Sequence, residues 1–147
     1  MTLRQKEEIV KKKFKILKNW EEKYEYLIDL GKKLSNKSTN FRSEDKLIHG
    51  CQSKVWLKAK LNGSRIFFEA DSDALLPRGM AALMIQVYSG LFPFEIIYSN
   101  AHFIYEIGFQ TFLSPIRANG MFLFLKKIKF YAIALNSKIS VSLRGRI

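Results

Sequence analysis

The one cysteine of the chain, Cys51, is its strongest candidate for a reactive side chain. Gly50 precedes it, and Gln52 and Ser53 follow it, so it lies in a short polar segment between apolar stretches, where a loop is expected. A thiolate is a nucleophile, and exposure decides whether it reacts. The alternative is a buried cysteine that acts only as a small apolar residue. The sequence predicts a loop thiol and leaves both interpretations open.

His49 lies two positions before Cys51 and could tune its reactivity. In an extended segment, side chains two residues apart share a face, so an imidazolium there could lower the pKa of the thiol. The alternative is that His49 only faces solvent. A papain-like hydrolase would also need a distant histidine and an orienting Asn or Asp, and His102 is the only other histidine. No protease signature surrounds Cys51, which argues against a thiol hydrolase.

Three charged residues are further candidates. Asp71 and Asp73 could serve acid–base chemistry or bind a metal, but aspartates in a loop more often cap a helix, and no EF-hand pattern follows them. Arg117 falls in the first turn of a predicted helix, where the helix dipole does not favour a cation. A salt bridge or a partner contact is therefore expected for Arg117.

The segment after Cys51 has the alternation of a half-buried antiparallel hairpin. Apolar residues recur at every second position over residues 55–61 and 66–70, which predicts two strands. Asn62-Gly63 between them is the strongest short hairpin signal. A third, shorter strand is expected at Leu47-Ile48, directly before the cysteine loop.

Helices are predicted on both sides of this sheet in the chain. Asn19 suits the N-cap of the second helix, and Ser114-Pro115 suits the start of the last one. The predicted helices cover residues 4–18, 20–34, 77–90, 93–98 and 115–135, residues 35–45 form a loop, and residues 101–112 form a helix or turn. This order predicts one α+β domain over residues 1–135, a three-stranded antiparallel sheet with helices packed on one face, and a loosely ordered basic tail over residues 136–147.

The composition excludes several classes. A hydrophobic content of 48% is too high for a disordered chain, and a single cysteine cannot build a disulfide framework or a cysteine-rich metal site. The first twenty residues are densely charged, and no apolar run approaches the ~18 residues of a membrane span. The sequence therefore predicts a cytoplasmic protein without a membrane partner.

The net charge of +12 invites a nucleic-acid-binding interpretation, but its distribution argues against it. Residues 1–60 carry +8, residues 61–120 carry −2 and residues 121–147 carry +6. The excess lies at the two ends, and no RNA-recognition, zinc-finger or helix-turn-helix signature is present. A small basic nucleic-acid-binding module stays the less favoured alternative.

Four motifs, in order and spacing, resemble those of the SufE family of sulfur acceptors. They are Asn19-Trp20-Glu21-Glu22-Lys23-Tyr24, His49-Gly50-Cys51-Gln52-Ser53-Lys54-Val55-Trp56-Leu57, Asp71-Ser72-Asp73-Ala74 and Leu113-Ser114-Pro115-Ile116-Arg117-Ala118-Asn119-Gly120. The resemblance spans about residues 5–135. It implies an α+β fold similar to that of IscU-type scaffolds, with the cysteine loop at one end.

The resemblance also implies a function in the SUF system of iron–sulfur cluster assembly. Cys51 would accept sulfur, as a persulfide, from a SufS-like cysteine desulfurase that uses pyridoxal phosphate, and would stimulate that enzyme. The sulfur would pass to a SufBCD-like Fe–S scaffold. The chain itself is expected to need no cofactor or metal, to bind no nucleic acid and to have no independent turnover, and a homodimer stays open.

Supporting roles are expected from the neighbours of Cys51 and from residues of the other motifs. Loop support is expected from His49, Gly50, Gln52 and Ser53, with Gly50 as a hinge and the two polar side chains in contact with the backbone. Partner docking or loop contacts are expected from Asp71, Asp73 and Arg117. The motifs do not separate this type from a paralogous CsdE-type acceptor that serves another desulfurase or transfer-RNA modification.

Overall fold

The computed structural model describes residues 1–34, 42–109 and 113–144, with side chains described as far as residue 139. The elements are α1 (Leu3–Ile16), α2 (Trp20–Lys32), a 3-10 turn (Glu44–Lys46), β1 (Val55–Asn62), β2 (Arg65–Ser72), α3 (Leu75–Tyr88), α4 (Pro93–Ile97), α5 (Phe103–Glu106) and α6 (Pro115–Arg144). The predicted α+β class is confirmed. Within these ranges, no helix has the length and apolar content needed to cross a bilayer.

Strands β1 and β2 form an antiparallel hairpin that closes where the sequence predicts it. Asn62 pairs with Arg65, and Gly63 takes φ +64° in the turn, a conformation that glycine adopts without steric cost. Leu57 lies opposite Ala70, and both are buried on the face that the helices cover. Alternate residues of the hairpin therefore build one side of the core.

The predicted third strand is wrong. Leu47 makes a single isolated bridge to Trp56, and the N–H of Ile48 donates to the carbonyl oxygen of Val55 at 2.8 Å. The chain then leaves the sheet at Gly50, whose φ of +92° turns the backbone away. The sheet in the described part of the chain thus has two strands, because the segment before Cys51 pairs only once before it becomes the loop.

Helices α2 and α3 approach each other at two glycines. A Cβ atom built on Gly79 would lie 2.0 Å from the carbonyl oxygen of Leu27, and one built on Gly31 would lie 2.8 Å from the amide nitrogen of Gly79. Both distances are far below van der Waals contact, so this helix pair can pack at its observed distance only without side chains there. Helix α3 packs on α2 and also on β2 of the hairpin. Its first turn lies beside the cysteine loop.

Two N-caps predicted from the sequence are confirmed. The N–H of Glu22 donates to Oδ1 of Asn19 at 2.9 Å, and the N–H of Arg117 donates to Oγ of Ser114 at 3.3 Å. The predicted end of the last helix near Leu135 is wrong, because α6 continues to Arg144. The division into a domain over residues 1–135 and a tail over residues 136–147 stays a prediction.

Two predicted loop segments lie partly outside the described residues. Of the loop predicted over residues 35–45, only residues 42–45 are described, and Glu44 and Asp45 belong to the 3-10 turn. Of the segment predicted over residues 101–112, the described part contains the single turn α5.

Candidate functional site

Cys51 is half-buried in a loop that connects the Leu47 bridge to β1 and packs on the first turns of α6. A Cβ atom built on Gly120 would lie 3.8 Å from the Cys51 sulfur, and one built on Gly50 would lie 3.1 Å from Cδ1 of Leu123. The loop therefore presses its thiol against α6. This contact brings together residues about seventy positions apart in the chain.

The thiol opens into a cavity of about 360 Å³ between the hairpin, α3 and α6. Leu75 and Ile116 stand at its rim with 64% and 57% of their surface exposed, and Arg117 is exposed beside them. The remaining lining residues are mostly apolar: Ile28, Cys51, Gln52, Ser53, Val55, Ala74, Leu76, Pro77, Met80, Ala81, Gly120, Met121 and Phe124. Such a chamber has room for a small apolar group attached to the sulfur.

Both ends of the loop are hydrogen-bonded. At the N-terminal end, the bond from Ile48 to Val55 holds the chain on the sheet. At the C-terminal end, the N–H of Lys54 donates to Oδ1 of Asp73 at 3.1 Å. The carbonyl oxygen of Lys54 accepts from Oγ of Ser72 at 2.8 Å and from the N–H of Asp73 at 3.2 Å. Asp73 therefore anchors the loop, and it does not cap α3, whose N-cap is Ala74.

The five residues between these anchors, 49–53, make no hydrogen bond to any residue that the structure describes. The polar contacts predicted for Gln52 and Ser53 are thus not seen there: Gln52 is exposed and Ser53 is half-buried in the cavity wall. Gly50 at φ +92° supplies a backbone conformation that other residues rarely adopt. The loop is hydrogen-bonded at both ends, and its tip is held by packing and by the contact of His49 with Glu44.

Burial raises the pKa of the Cys51 thiol, because the apolar surroundings disfavour the thiolate. This direction is opposite to the one expected from an imidazolium at His49. The His49 side chain is 72% exposed and points its Nε2 atom toward Oε1 of Glu44, 3.6 Å away. His49 therefore faces solvent, the alternative that the sequence left open.

Asp71 is a buried ion-pair partner. Its Oδ2 atom accepts from Nε of Arg42 at 2.6 Å, and its Oδ1 atom lies 3.5 Å from Nε of Arg78. The Arg42 guanidinium also lies over the Trp56 ring, 4.9 Å from its centroid. The carboxylate of Asp71 is thus enclosed by two arginines, and its role in partner docking or loop contacts stays a prediction. The sequence carried no signal for Arg42, because its partner lies 29 residues away in an unrelated element.

Metal-ligating side chains do not gather near Cys51. Across the described ranges, no group of three or more His, Cys, Asp or Glu residues is close enough to hold a metal ion.

A family profile and curated proteins that are similar to this chain point to the same family. The profile of the SufE family, described as an Fe–S metabolism associated domain, matches residues 7–132. An uncharacterised SufE-like protein of Synechocystis is 38% identical over 112 residues, which cover 76% of this chain and 70% of that protein. An uncharacterised SufE-like protein of Rhizobium meliloti is 36% identical over 121 residues, 79% of this chain and 86% of that one.

One further relative and one solved structure extend the comparison. The chloroplastic/mitochondrial SufE-like protein 1 of Arabidopsis thaliana is 36% identical over 133 residues, which cover 90% of this chain but 36% of the plant protein. The solution structure of a hypothetical protein from Thermus thermophilus superposes with a TM-score of 0.76 over 90% of this chain and 96% of that chain, at 19% identity. This structural likeness supports the fold alone.

Proposed function

The chain belongs to the SufE family of Fe–S metabolism associated domains, and from this premise we propose that it is a sulfur carrier that accepts sulfur on Cys51 from a cysteine desulfurase. The family implies the sulfur-acceptor role in Fe–S metabolism. The observation that carries the assignment to Cys51 is its position: the single thiol of the chain lies on a loop tip at the edge of an apolar cavity.

The proposed reaction is a thiol–persulfide exchange. The Cys51 thiolate attacks the outer sulfur of a persulfide on the desulfurase, a new S–S bond forms on Cys51, and the S–S bond of the enzyme breaks. The enzyme cysteine leaves as a thiolate and takes up the proton that Cys51 loses. The products are a Cys51 persulfide and a free enzyme thiol, so no external oxidant or reductant is needed. One cysteine is sufficient, because the second sulfur belongs to the partner.

The cavity supports storage of the transferred sulfur. A persulfide is easily oxidised or reduced, and both reactions need access from solvent. With the loop packed on α6, the thiol of Cys51 faces apolar side chains such as Met121 and Phe124. The resting loop would therefore shield a loaded sulfur.

The raised pKa of Cys51 favours a reaction that requires loop movement. In the packed position burial raises the pKa of the thiol and so favours its protonated form, which is a poor nucleophile. Movement of the tip toward a docked partner would expose the sulfur and return its pKa toward the ordinary value. The tip makes no hydrogen bond within the described structure, so such movement needs to break no more than the anchor of Lys54 to Asp73 and leaves the bond of Ile48 to Val55 intact.

The rim of the cavity is suited to partner contact. Leu75 and Ile116 expose large apolar surfaces on either side of Cys51, and Arg117 adds a positive charge. A desulfurase that covered this rim would bury both apolar side chains and meet the cation. We propose that a SufBCD-like scaffold receives the sulfur afterwards. Removal of the sulfur from the desulfurase would stimulate the turnover of that enzyme, and we place these steps in the cytoplasm.

The decisive experiment measures sulfur on the peptide that contains Cys51. After incubation with a cysteine desulfurase and free cysteine, mass spectrometry should show a gain of one sulfur atom on that peptide in the wild type and none in Cys51→Ser. Glu69→Ala, which changes an exposed residue of β2 outside the cavity and keeps the thiol, is the matched control. If Cys51→Ser still stimulated desulfurase turnover fully, the carrier function would be wrong. A pull-down with candidate desulfurases then identifies which paralogue the protein serves.

The loop movement has a separate test. Hydrogen exchange of residues 48–54 should change at the tip when a desulfurase is added, because docking moves the tip from α6 to the partner. Exchange at Ile48 should change little, since its N–H stays bonded to Val55. Unchanged exchange over the whole segment would exclude the movement without affecting the assignment of Cys51.

A further inference from the structure

We propose that Gly120 positions the transferred sulfur: the missing side chain at this position leaves the space on α6 that the outer sulfur of a Cys51 persulfide occupies. The inference rests on the proposed carrier function and names a positioning residue for it.

The space beside the Cys51 sulfur is empty and faces α6. A Cβ atom built on Gly120 would lie 3.8 Å from Sγ, and, apart from its chain neighbours and the backbone of its own helix, no other heavy atom of the described residues lies within 4 Å of that point. The same residue lines the cavity together with Met121 and Phe124. The surface of α6 that faces the thiol at Gly120 is therefore bare backbone, with no described side chain between it and the sulfur.

The unloaded fold does not require glycine at this position. A methyl group 3.8 Å from Sγ would be in ordinary van der Waals contact, and Gly120 has no positive φ. Glycine inside a helix is less favourable than alanine, because it loses more backbone freedom on folding. Gly79 is a useful contrast, because a Cβ atom there would lie 2.0 Å from a backbone oxygen and the fold itself demands glycine.

The loaded protein, in contrast, would need the space. The outer sulfur of a persulfide lies about 2.05 Å from the inner one. If it points toward α6, it comes within roughly 2 Å of the position of an alanine methyl carbon, too close for both to be present. An alanine at residue 120 would therefore be compatible with the unloaded thiol, but it would displace the outer sulfur of the persulfide into a more exposed orientation.

The experiment compares wild type, Gly120→Ala and Asn119→Ala. Asn119 is exposed in the same turn of α6 and does not line the cavity, so Asn119→Ala improves helix propensity without filling the space. Each protein is loaded with glutathione persulfide, and loading is confirmed by the mass of one added sulfur. Two rates are then measured: loss of the persulfide to dithiothreitol, and alkylation of the unloaded thiol by iodoacetamide.

In Gly120→Ala we expect the persulfide to be lost about fivefold faster or more, with alkylation of the unloaded thiol within about twofold of wild type. Asn119→Ala should match wild type in both rates. Equal persulfide lifetimes in all three proteins would overturn the inference, and so would a parallel change in both rates, which would mean that the methyl only moved the loop. The carrier function fails separately, if the Cys51 peptide of the wild type gains no sulfur after incubation with a cysteine desulfurase and free cysteine.

Discussion

Removal of the Asp73 carboxylate should loosen the cysteine loop and make its thiol more reactive. Asp73 accepts from the N–H of Lys54 at 3.1 Å, at the point where the loop enters β1. The carbonyl oxygen of Lys54 keeps its bond to Ser72 in an Asp73→Ala variant. The change therefore weakens one anchor of the loop and leaves the strand in place.

The size of the effect follows from this single contact. A hydrogen bond to a charged acceptor contributes about 1.5–3 kcal/mol, and the exposed position of this one reduces its contribution to about 1 kcal/mol. If that free energy favours the packed loop, its loss increases the open population about fivefold. Since alkylation follows the open population when opening is fast, the rate at Cys51 should also rise about fivefold.

The assay is the second-order rate of iodoacetamide alkylation at one pH below the ordinary thiol pKa. The alkylation rate of Asp73→Asn, which retains an oxygen acceptor, should lie between the rates of wild type and Asp73→Ala. Glu69→Ala removes an exposed carboxylate from the same hairpin and should react as wild type does. If Asp73→Ala reacted at the wild-type rate or more slowly, the role of Asp73 as a loop anchor would be refuted.

Three further predictions concern titration and packing. Because burial raises the pKa of Cys51, the alkylation rate in the folded protein should reach half-maximum at a higher pH than for an ordinary thiol, and at the ordinary pH in urea. The contribution of the thiol to the free energy of unfolding, measured against Cys51→Ser, is then complete below the ordinary pKa and is lost as the pH rises through the pKa of the folded protein. Gly79→Ala should lower the melting temperature through a loss of about 3 kcal/mol or more, whereas Gly120→Ala should raise it slightly in the same assay. Asp71→Ala should destabilise by about 2–4 kcal/mol in urea unfolding, because two arginines lose a buried partner; a loss below about 0.5 kcal/mol would contradict this.

Local sequence signals predicted the elements near the site well. The Asn62-Gly63 turn, the Asn19 and Ser114 caps and the loop around Cys51 all follow from a few neighbouring residues, since turn and cap chemistry acts over three or four positions. The same signals failed at Leu47-Ile48. Two apolar residues cannot distinguish a strand from a single bridge, because the difference depends on where the chain turns next.

The sequence by itself determined the family and the loop that holds the single cysteine: Cys51 lies between Gly50 and Gln52, with motifs in the order found in SufE proteins. Only the tertiary structure decided what surrounds that atom. Gly120 meets Cys51 across 69 positions of sequence, and Arg42 encloses Asp71 across 29. Periodicity along a chain reports which face of an element is buried, but contacts between distant elements arise only when all of them pack together, so these neighbours became visible in the folded protein alone.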